Sequence, residues 1–584
     1  MLIRGVEIDP AVNPAVLDTI TWNENKVREY VEQARGQLES LASSMSRASS
    51  ARDAARAAAD SHGPIVLFPG SVEIAGDAAY LIGRCPDNQR ILISIARAGA
   101  PALVCNLERA GARPTVEIRG EDFKAYVLPV NLQTISSFVN TVAPHRGPRA
   151  LGNAPRLGVG NRQSVTVWPG IFQAMEHIKV PSEVIQNSAY RELAPMDEIL
   201  NPAGRQVTYL PGHGSVGVGH TGNSIEGLWL YGVVSAMEHG FKEPFGADLD
   251  HIPVREGQEG IDKAKYLIDV GRDYSFFTLD TSPLFNTDAL RLRGADLDHV
   301  FSENVPADER KRLLESGRSR GLDEERVKQL ASAYWKSIVA ASLLYQHIAE
   351  LKAGYPFDFE FSLDEGPELT SPDEITFVLD ELQNRGVRVH FIAPNVGFEK
   401  RYDYRRPDGL EGLSARVREL ARRASEYGAV LDFHSGSDKS SATYTAISRA
   451  AGGQVKLKVA GKLQLILADV LADLEPGFFR EWWEWSRESA KEEARRGNQV
   501  AIDYLAQLDE RISREGNAFK PSSKDRVFTD FAFGMVGAKD ESGRFLYRHR
   551  FYTLSPEVQA EYTRRVRDYL VKLAGDLELP IENR

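Results

Sequence analysis

The chain has 584 residues, of which 42% are apolar and 26% charged, a composition suited to a globular protein with room for more than one domain. A formal charge of −11 argues against nucleic acid as the main partner, and no run approaches eighteen unbroken apolar residues, so no membrane span is expected. Two cysteines, Cys85 and Cys105, cannot build a disulfide framework and read as reduced core thiols.

The first ten residues, Met1 to Pro10, lack a charged region followed by an apolar signal core, so a cytoplasmic protein is expected. Residues 11–60 carry helical spacing, as in Val27-Arg-Glu-Tyr-Val-Glu-Gln-Ala-Arg35. Short strand-like runs follow at 64–69, 90–95, 102–105 and 126–130, separated by turn-rich segments such as Cys85-Pro-Asp-Asn-Gln89. Residues 1–150 therefore read as an amino-terminal helix plus a small α/β accessory domain, and Val142–Arg149 as a linker.

From 151 onward strands and helices alternate, the rhythm of parallel strands with crossover helices. Eight strands are predicted at 157–160, 215–219, 245–249, 274–279, 357–363, 387–392, 430–433 and 455–459. Between them Ser371-Pro-Asp-Glu374 reads as an N-cap, a proline at the first helical position and a capping box. Eight such units predict a (β/α)8 barrel over 151–584, with an insertion at about 285–325 and a carboxyl-terminal helical extension. Six or seven units would suit an open doubly wound sheet instead.

Strand parity points to a site. In Val430-Leu-Asp-Phe-His434, Leu431 and Phe433 alternate with Asp432 and His434, so one face carries an acid and an imidazole. Asp358, Glu360, Ser362 and Asp364 oppose an apolar face, as do Lys456 and Lys458. Asp248 and Asp250 share a face with His251 following, and Thr278 shares one with Asp280. In a barrel these faces line the lumen, gathering carboxylates, imidazoles and lysines at one end. Imidazole and carboxylate ligands from different strands suit Zn, Mn, Ni or Co, with leftover groups moving protons. Asp358 and Glu360, early in their strand, read as partners of Lys456 or Lys458 in layered ion pairs, and Asp432 as either a ligand or an orienting partner of His434. His390 and His220 read as ordinary hydrogen-bonded histidines.

Weaker signals are Gly217-Val-Gly-His-Thr-Gly222, which has dinucleotide spacing but lacks a suitably placed acid, and reads as a tight turn. Gly-Ala-Asp-Leu-Asp-His occurs at 246–251 and again at 294–299, where it lies in the charged insertion and reads as coincidence. Trp482, Trp483 and Trp485 suit a helix packed in the core or an interface, or sugar stacking.

Phe361-Ser-Leu-Asp-Glu365 with Thr370-Ser-Pro372, and above all His434-Ser-Gly-Ser-Asp-Lys439, resemble the tagaturonate epimerase family. Gly158-Val-Gly-Asn-Arg162, Gly246–His251, Phe276–Ser282, Val455–Gly461, Tyr547–Tyr552 and Phe68-Pro-Gly-Ser71 extend the resemblance over most of the chain. It implies metal-dependent interconversion of tagaturonate and fructuronate, with fructose and tagatose as weaker substrates. On it we expect Asp250, His251, Glu365 and His434 as metal ligands, Asp280, Asp364 and Lys458 as proton carriers, and Arg162, Ser435, Ser437, Asp438 and Lys439 as substrate grips. Gly366 and Trp168-Pro-Gly-Ile171 depart from the family pattern near expected strand ends, which leaves the sugar more open than the reaction class. Retro-aldol cleavage with re-addition, or transient oxidation by a bound nicotinamide, are the two routes to inversion. A related sugar isomerase or aldolase, and a silent sugar-binding paralogue, are the competing readings. Homo-oligomerisation through the Trp-rich helix is a further expectation.

Overall fold

The computed structural model describes residues 23–99, 112–200, 219, 221, 223–538, 540–542 and 544–579, with the backbone of short strands at 2–3, 6–7, 207–210 and 214–217. The Ala102–Cys105 run, His220 and Gly222 lie outside the described residues.

Eight parallel strands close a barrel: Arg156–Val159, Ser182–Ser188, Phe245–Pro253, Phe276–Asp280, Asp358–Ser362, Phe391–Ala393, Val430–Phe433 and Val455–Val459. The eighth pairs back onto the first through Lys456 beside Arg156 and Lys458 beside Gly158. Seven of these strands fall where the alternating pattern placed them. The expected strand at 215–219 is instead part of a hairpin, 207–210 against 214–217, outside the barrel. The true second strand, Ser182–Ser188, escaped notice because its lumen side carries Glu183 and Gln186 and a register shift falls between Glu183 and Ile185.

Helices separate the strands. Ser371 caps the helix Pro372–Asn384 with the reciprocal Ser371–Glu374 box that the sequence implied, and Ile375, Val378, Leu379 and Leu382 form its buried stripe. The insertion after the fourth strand folds into the helices Gly294–Asn304 and Ala307–Ser319 before the crossover helix Glu324–Lys352. The carboxyl-terminal helix Pro556–Asp576 packs on Ser164–Ile178, where Gly170 permits the approach: a Cβ there would lie 2.7 Å from Val566 and 2.8 Å from the Thr563 carbonyl. Trp168 therefore sits in a helix interior, its Nε1 donating to the Val184 carbonyl, away from the strand ends.

Before the barrel stands an antiparallel sheet ordered 66–67, 78–84, 90–97, 123–129, 116–119, with 73–75 pairing on 78–84. Both its faces are apolar with period two. Ala79, Leu81, Ile91, Ile93 and Ile95 face the helices Glu24–Gln33, Arg35–Ser46 and Ala51–Ala59. Tyr80, Ile82 and Leu92 join the barrel's outer core, where Tyr80 meets Phe138 at 5.4 Å. The expected linker is a bolt: buried Arg146 pairs with Glu73 and donates to the carbonyls of Gly70 and Phe241. None of the described helices is long and apolar enough to cross a membrane.

Candidate active site at the mouth of the barrel

The lumen is built in charged layers. At the bottom Arg156 bridges Glu183 at 2.9 Å and Asp358 at 3.2 Å, with its guanidinium 4.7 Å from the Phe391 ring centre. Asp358 also accepts from the backbone of Leu151 and Gly152, so it pairs with Arg156 and not with the lysines expected for it. In the middle Lys456 Nζ lies 3.0 Å from Glu360, 3.1 Å from Asp432 and 3.4 Å from Asp248. Above it Lys458 Nζ reaches Asp250 at 2.6 Å and Glu360 at 3.0 Å, so Glu360 does join both lysines as the parity implied. Burial opposes the Lys458 charge, yet Asp250, Glu360 and their neighbours hold this ammonium well above the usual lysine value. Gly158 makes room here, since a Cβ would stand 2.4 Å from Gln186 Oε1.

At the mouth His251 and His434 face each other with ring centres 4.8 Å apart. Asp250 Oδ1 lies 2.7 Å from His251 Nδ1, and Glu360 Oε1 lies 2.8 Å from His434 Nε2. Each imidazole is thus backed by a carboxylate, which leaves Nε2 of His251 and Nδ1 of His434 for other work. The His434 Nδ1 is buried without a hydrogen bond, 3.1 Å from Asp364 Oδ2. Burial disfavours charge on Asp364, but His434 beside it holds the carboxyl well below its ordinary value.

These groups fit a divalent transition ion. Donor atoms of His251, Asp364 and His434 lie within 4.8 Å of one another, and a four-coordinate ion with bonds near 2.1 Å spaces its ligands by about 3.4 Å, so a contraction of roughly an ångström closes the set. Carboxylates behind both imidazoles are the arrangement that fixes tautomer and ring orientation in metal sites.

The expected four-ligand set is not the one brought together. Asp250 lies behind His251 on Lys458, and Glu365 Oε1 is 3.1 Å from Arg191 with Oε2 receiving the Ser282 hydroxyl. Asp364 stands in the cluster where a proton carrier was expected. Asp280 holds Arg191 at 3.0 Å and the Ser282 hydroxyl at 2.6 Å, outside the chamber wall. The chamber, a cavity of about 170 Å³, is lined by Arg162, Ser435, Ser437 and Asp438, four of the five expected substrate grips, and by Lys458. Lys439 is not among its walls: its ammonium donates to the carbonyls of Glu399, Tyr402 and Ser435 at 2.8, 2.7 and 2.9 Å, tying two loops together. The tryptophans lie elsewhere; Trp482 and Trp483 are core, with Trp482 Nε1 donating to the Ala532 carbonyl.

Four charged chamber residues were missed: Arg191, Glu192, Lys400 and Arg401. Arg191 and Glu192 follow the unrecognised second strand, and Lys400 and Arg401 follow the sixth, in loops whose sequence carries no parity. Glu192 receives Arg162 Nε at 2.5 Å, and Arg162 and Arg401 flank the Phe533 ring at 4.3 and 5.4 Å. His251, Arg401 and Ser435 have φ of 51°, 69° and 55°, left-handed backbone that costs non-glycine residues about 1–3 kcal/mol each and gathers at functional sites.

The family model described as UxaE, tagaturonate epimerase, matches residues 219–576. A curated relative, the tagaturonate/fructuronate epimerase of Thermotoga maritima, is 30% identical over 257 residues, covering 42% of this chain and half of its own length. Among solved structures, the native fructuronate-tagaturonate epimerase UxaE of Cohnella laeviribosi superposes with a TM-score of 0.63 at 19% identity, covering 88% of this chain and 97% of that one. A two-glycerol complex of the same enzyme gives the same TM-score, identity and coverage. At that identity the likeness establishes the fold.

Proposed function

This chain belongs to the tagaturonate epimerase family, and from that premise we propose that it interconverts tagaturonate and fructuronate at the barrel mouth. The observation that carries the reading is the convergence of His251, Asp364, His434 and Lys458 on one chamber that Arg162, Arg191, Lys400 and Arg401 also line. A six-carbon ketouronate presents a ketone, hydroxyls and a carboxylate, and the chamber offers a partner for each.

The inverted carbon lies two positions from the ketone, so its C–H is not acidified by enolisation. Cleavage and re-addition avoid the difficulty. A carboxylate removes the proton of the reacting hydroxyl, that oxygen becomes an aldehyde, and the C3–C4 bond breaks with its electron pair passing to a C2–C3 enediolate. Rotation of the aldehyde presents its other face, the bond re-forms, and the new alkoxide recovers the proton. The sequence is redox-neutral. A divalent transition ion held by His251, Asp364 and His434 would supply Lewis-acid polarisation of the ketone. Lys458, held firmly protonated, supplies a fixed positive charge beside the developing oxyanion. Asp438, a chamber carboxylate with no hydrogen-bond partner among the described residues, is our candidate for the hydroxyl proton. Ser435 and Ser437 hold neighbouring hydroxyls.

The test is turnover of tagaturonate followed by NMR, with carbon-13-labelled dihydroxyacetone in the solvent. Epimerisation with incorporation of label supports cleavage. Epimerisation without it, and with no three-carbon aldehyde acid trapped by borohydride, favours transient oxidation. Absence of any turnover rejects the assignment.

A further inference from the structure

The loop after the sixth barrel strand carries a cation, Lys400, whose ammonium has no hydrogen bond or ion pair among the described residues. Lys400 lines the chamber as an exposed side chain, and the carboxylates of Glu365 and Asp364 act on its ammonium without pairing with it. The other cations around it are committed. Arg191 holds Asp280 and Glu365, Lys458 holds Asp250 and Glu360, and Arg401 holds Asp530 at 2.7 Å. Arg162 spends Nε on Glu192, while its buried Nη1 has no hydrogen-bond partner among the described residues.

The position of Lys400 is built. Lys439 binds the carbonyls of Glu399 and Tyr402, which bracket Lys400 and Arg401, and anchors them to Ser435 on the adjacent loop. Arg401 adopts left-handed backbone immediately after it, so the turn presenting Lys400 is held against a local conformational cost. Crowding by surrounding protein, and then the neighbouring Arg191 guanidinium, keep the Lys400 ammonium below its ordinary value against the opposing pull of Glu365 and Asp364.

Resting on the epimerase reading, we propose that Lys400, assisted by Arg162 Nη1, recognises the substrate carboxylate and sets the preference for ketouronates over neutral ketohexoses. The metal-fitting cluster of His251, Asp364 and His434 then takes the ketone end of the same molecule. Lys439 is a positioning residue for this contact.

The experiment compares kcat/KM for tagaturonate and for tagatose in wild type, K400M and K400R. Loss of one partner of a charge pair in a recognition site shifts affinity by at least about thirtyfold. K400M is expected to lower the tagaturonate-to-tagatose ratio by that factor, mainly through KM for tagaturonate, and K400R to retain most of it. An unchanged ratio in K400M overturns the proposal, whether both rates fall together or neither falls. Where tagatose turns over too slowly, its inhibition constant against tagaturonate replaces its rate, and the same ratio decides. Thermal melting checks K400M, and K400Q substitutes if it is unfolded. Wild type inactive on tagaturonate would reject the epimerase reading itself, an outcome distinct from a failure of Lys400.

Discussion

His434 Nε2 lies 2.8 Å from Glu360 Oε1, so the imidazole at the barrel mouth rests on a carboxylate that also receives Lys456 and Lys458. Glu360 is fully buried, and its replacement by glutamine leaves two buried ammonium groups short of countercharge. We expect E360Q to destabilise the protein by about 3–5 kcal/mol, read from urea unfolding, and to abolish turnover by releasing His434. Full activity in E360Q would refute its supporting role.

Chelation tests the metal. Activity is expected to disappear in EDTA and to return with one equivalent of a divalent transition ion per chain. H251Q, D364N and H434Q should each lose bound metal in elemental analysis, whereas D250N should keep a site weakened about 10–100-fold because Asp250 backs His251 and Lys458 without joining the cluster. Undiminished metal content in all three ligand variants would dismiss the assignment.

The bottom layer makes stability depend on pH. One guanidinium, Arg156, faces two buried carboxyls, and Asp358 takes two backbone N–H groups besides. Glu183 has an unpartnered Oε2, and burial outweighs Arg156 to push its pKa from 4.5 up to about 8. A carboxyl with a raised folded value stabilises fully below the unfolded value and loses that contribution as pH climbs through the folded one. The wild type should therefore lose melting temperature between pH 4.5 and 8 with a slope that E183Q lacks. Parallel curves for the two proteins would place the proton elsewhere.

Phe533 carries the carboxyl-terminal extension to the site through its ring contacts with Arg162 and Arg401. F533A is expected to raise KM for tagaturonate about tenfold with a smaller change in kcat, since each cation–π contact is worth about 0.5–2 kcal/mol. A loss confined to kcat would contradict a holding role.

Buried Cys85 has its thiol pushed up to about 12, first by burial and then by Asp87. Iodoacetamide at pH 8 should leave it unmodified in the native protein and modify it in urea, as peptide mass mapping reads directly.

What was legible in the sequence follows from period two. Strands with one apolar and one charged face, such as Val455–Val459, announced both the barrel and the lumen groups. Ser182–Ser188 did not, because Glu183 answers to Arg156 and Gln186 occupies the space that Gly158 leaves, neither visible until the barrel closes. Gly-Ala-Asp-Leu-Asp-His shows the limit of local reading. At 246–251 it is a strand with buried Asp248 and Asp250, and at 294–299 it begins a helix with Asp296, Asp298 and His299 exposed. Neighbouring strands, not the hexapeptide, decide. Lys400 and Arg191 sit on loops, where no alternation marks direction. Asp364, and not Glu365, joins His251 and His434 because adjacent residues just past a strand end point apart.

The layered lumen also governs which wrong structures the chain can reach. Asp248 and Asp250, Asp432 and His434, and Lys456 and Lys458 occupy the same parity on three strands. Sliding any one strand by a single residue would turn its ions outward onto the apolar helices and its aliphatic side chains onto the remaining charges. Each misaligned barrel therefore strands several ions in hydrocarbon at once. The charges that make the mouth reactive also proofread strand alignment during folding.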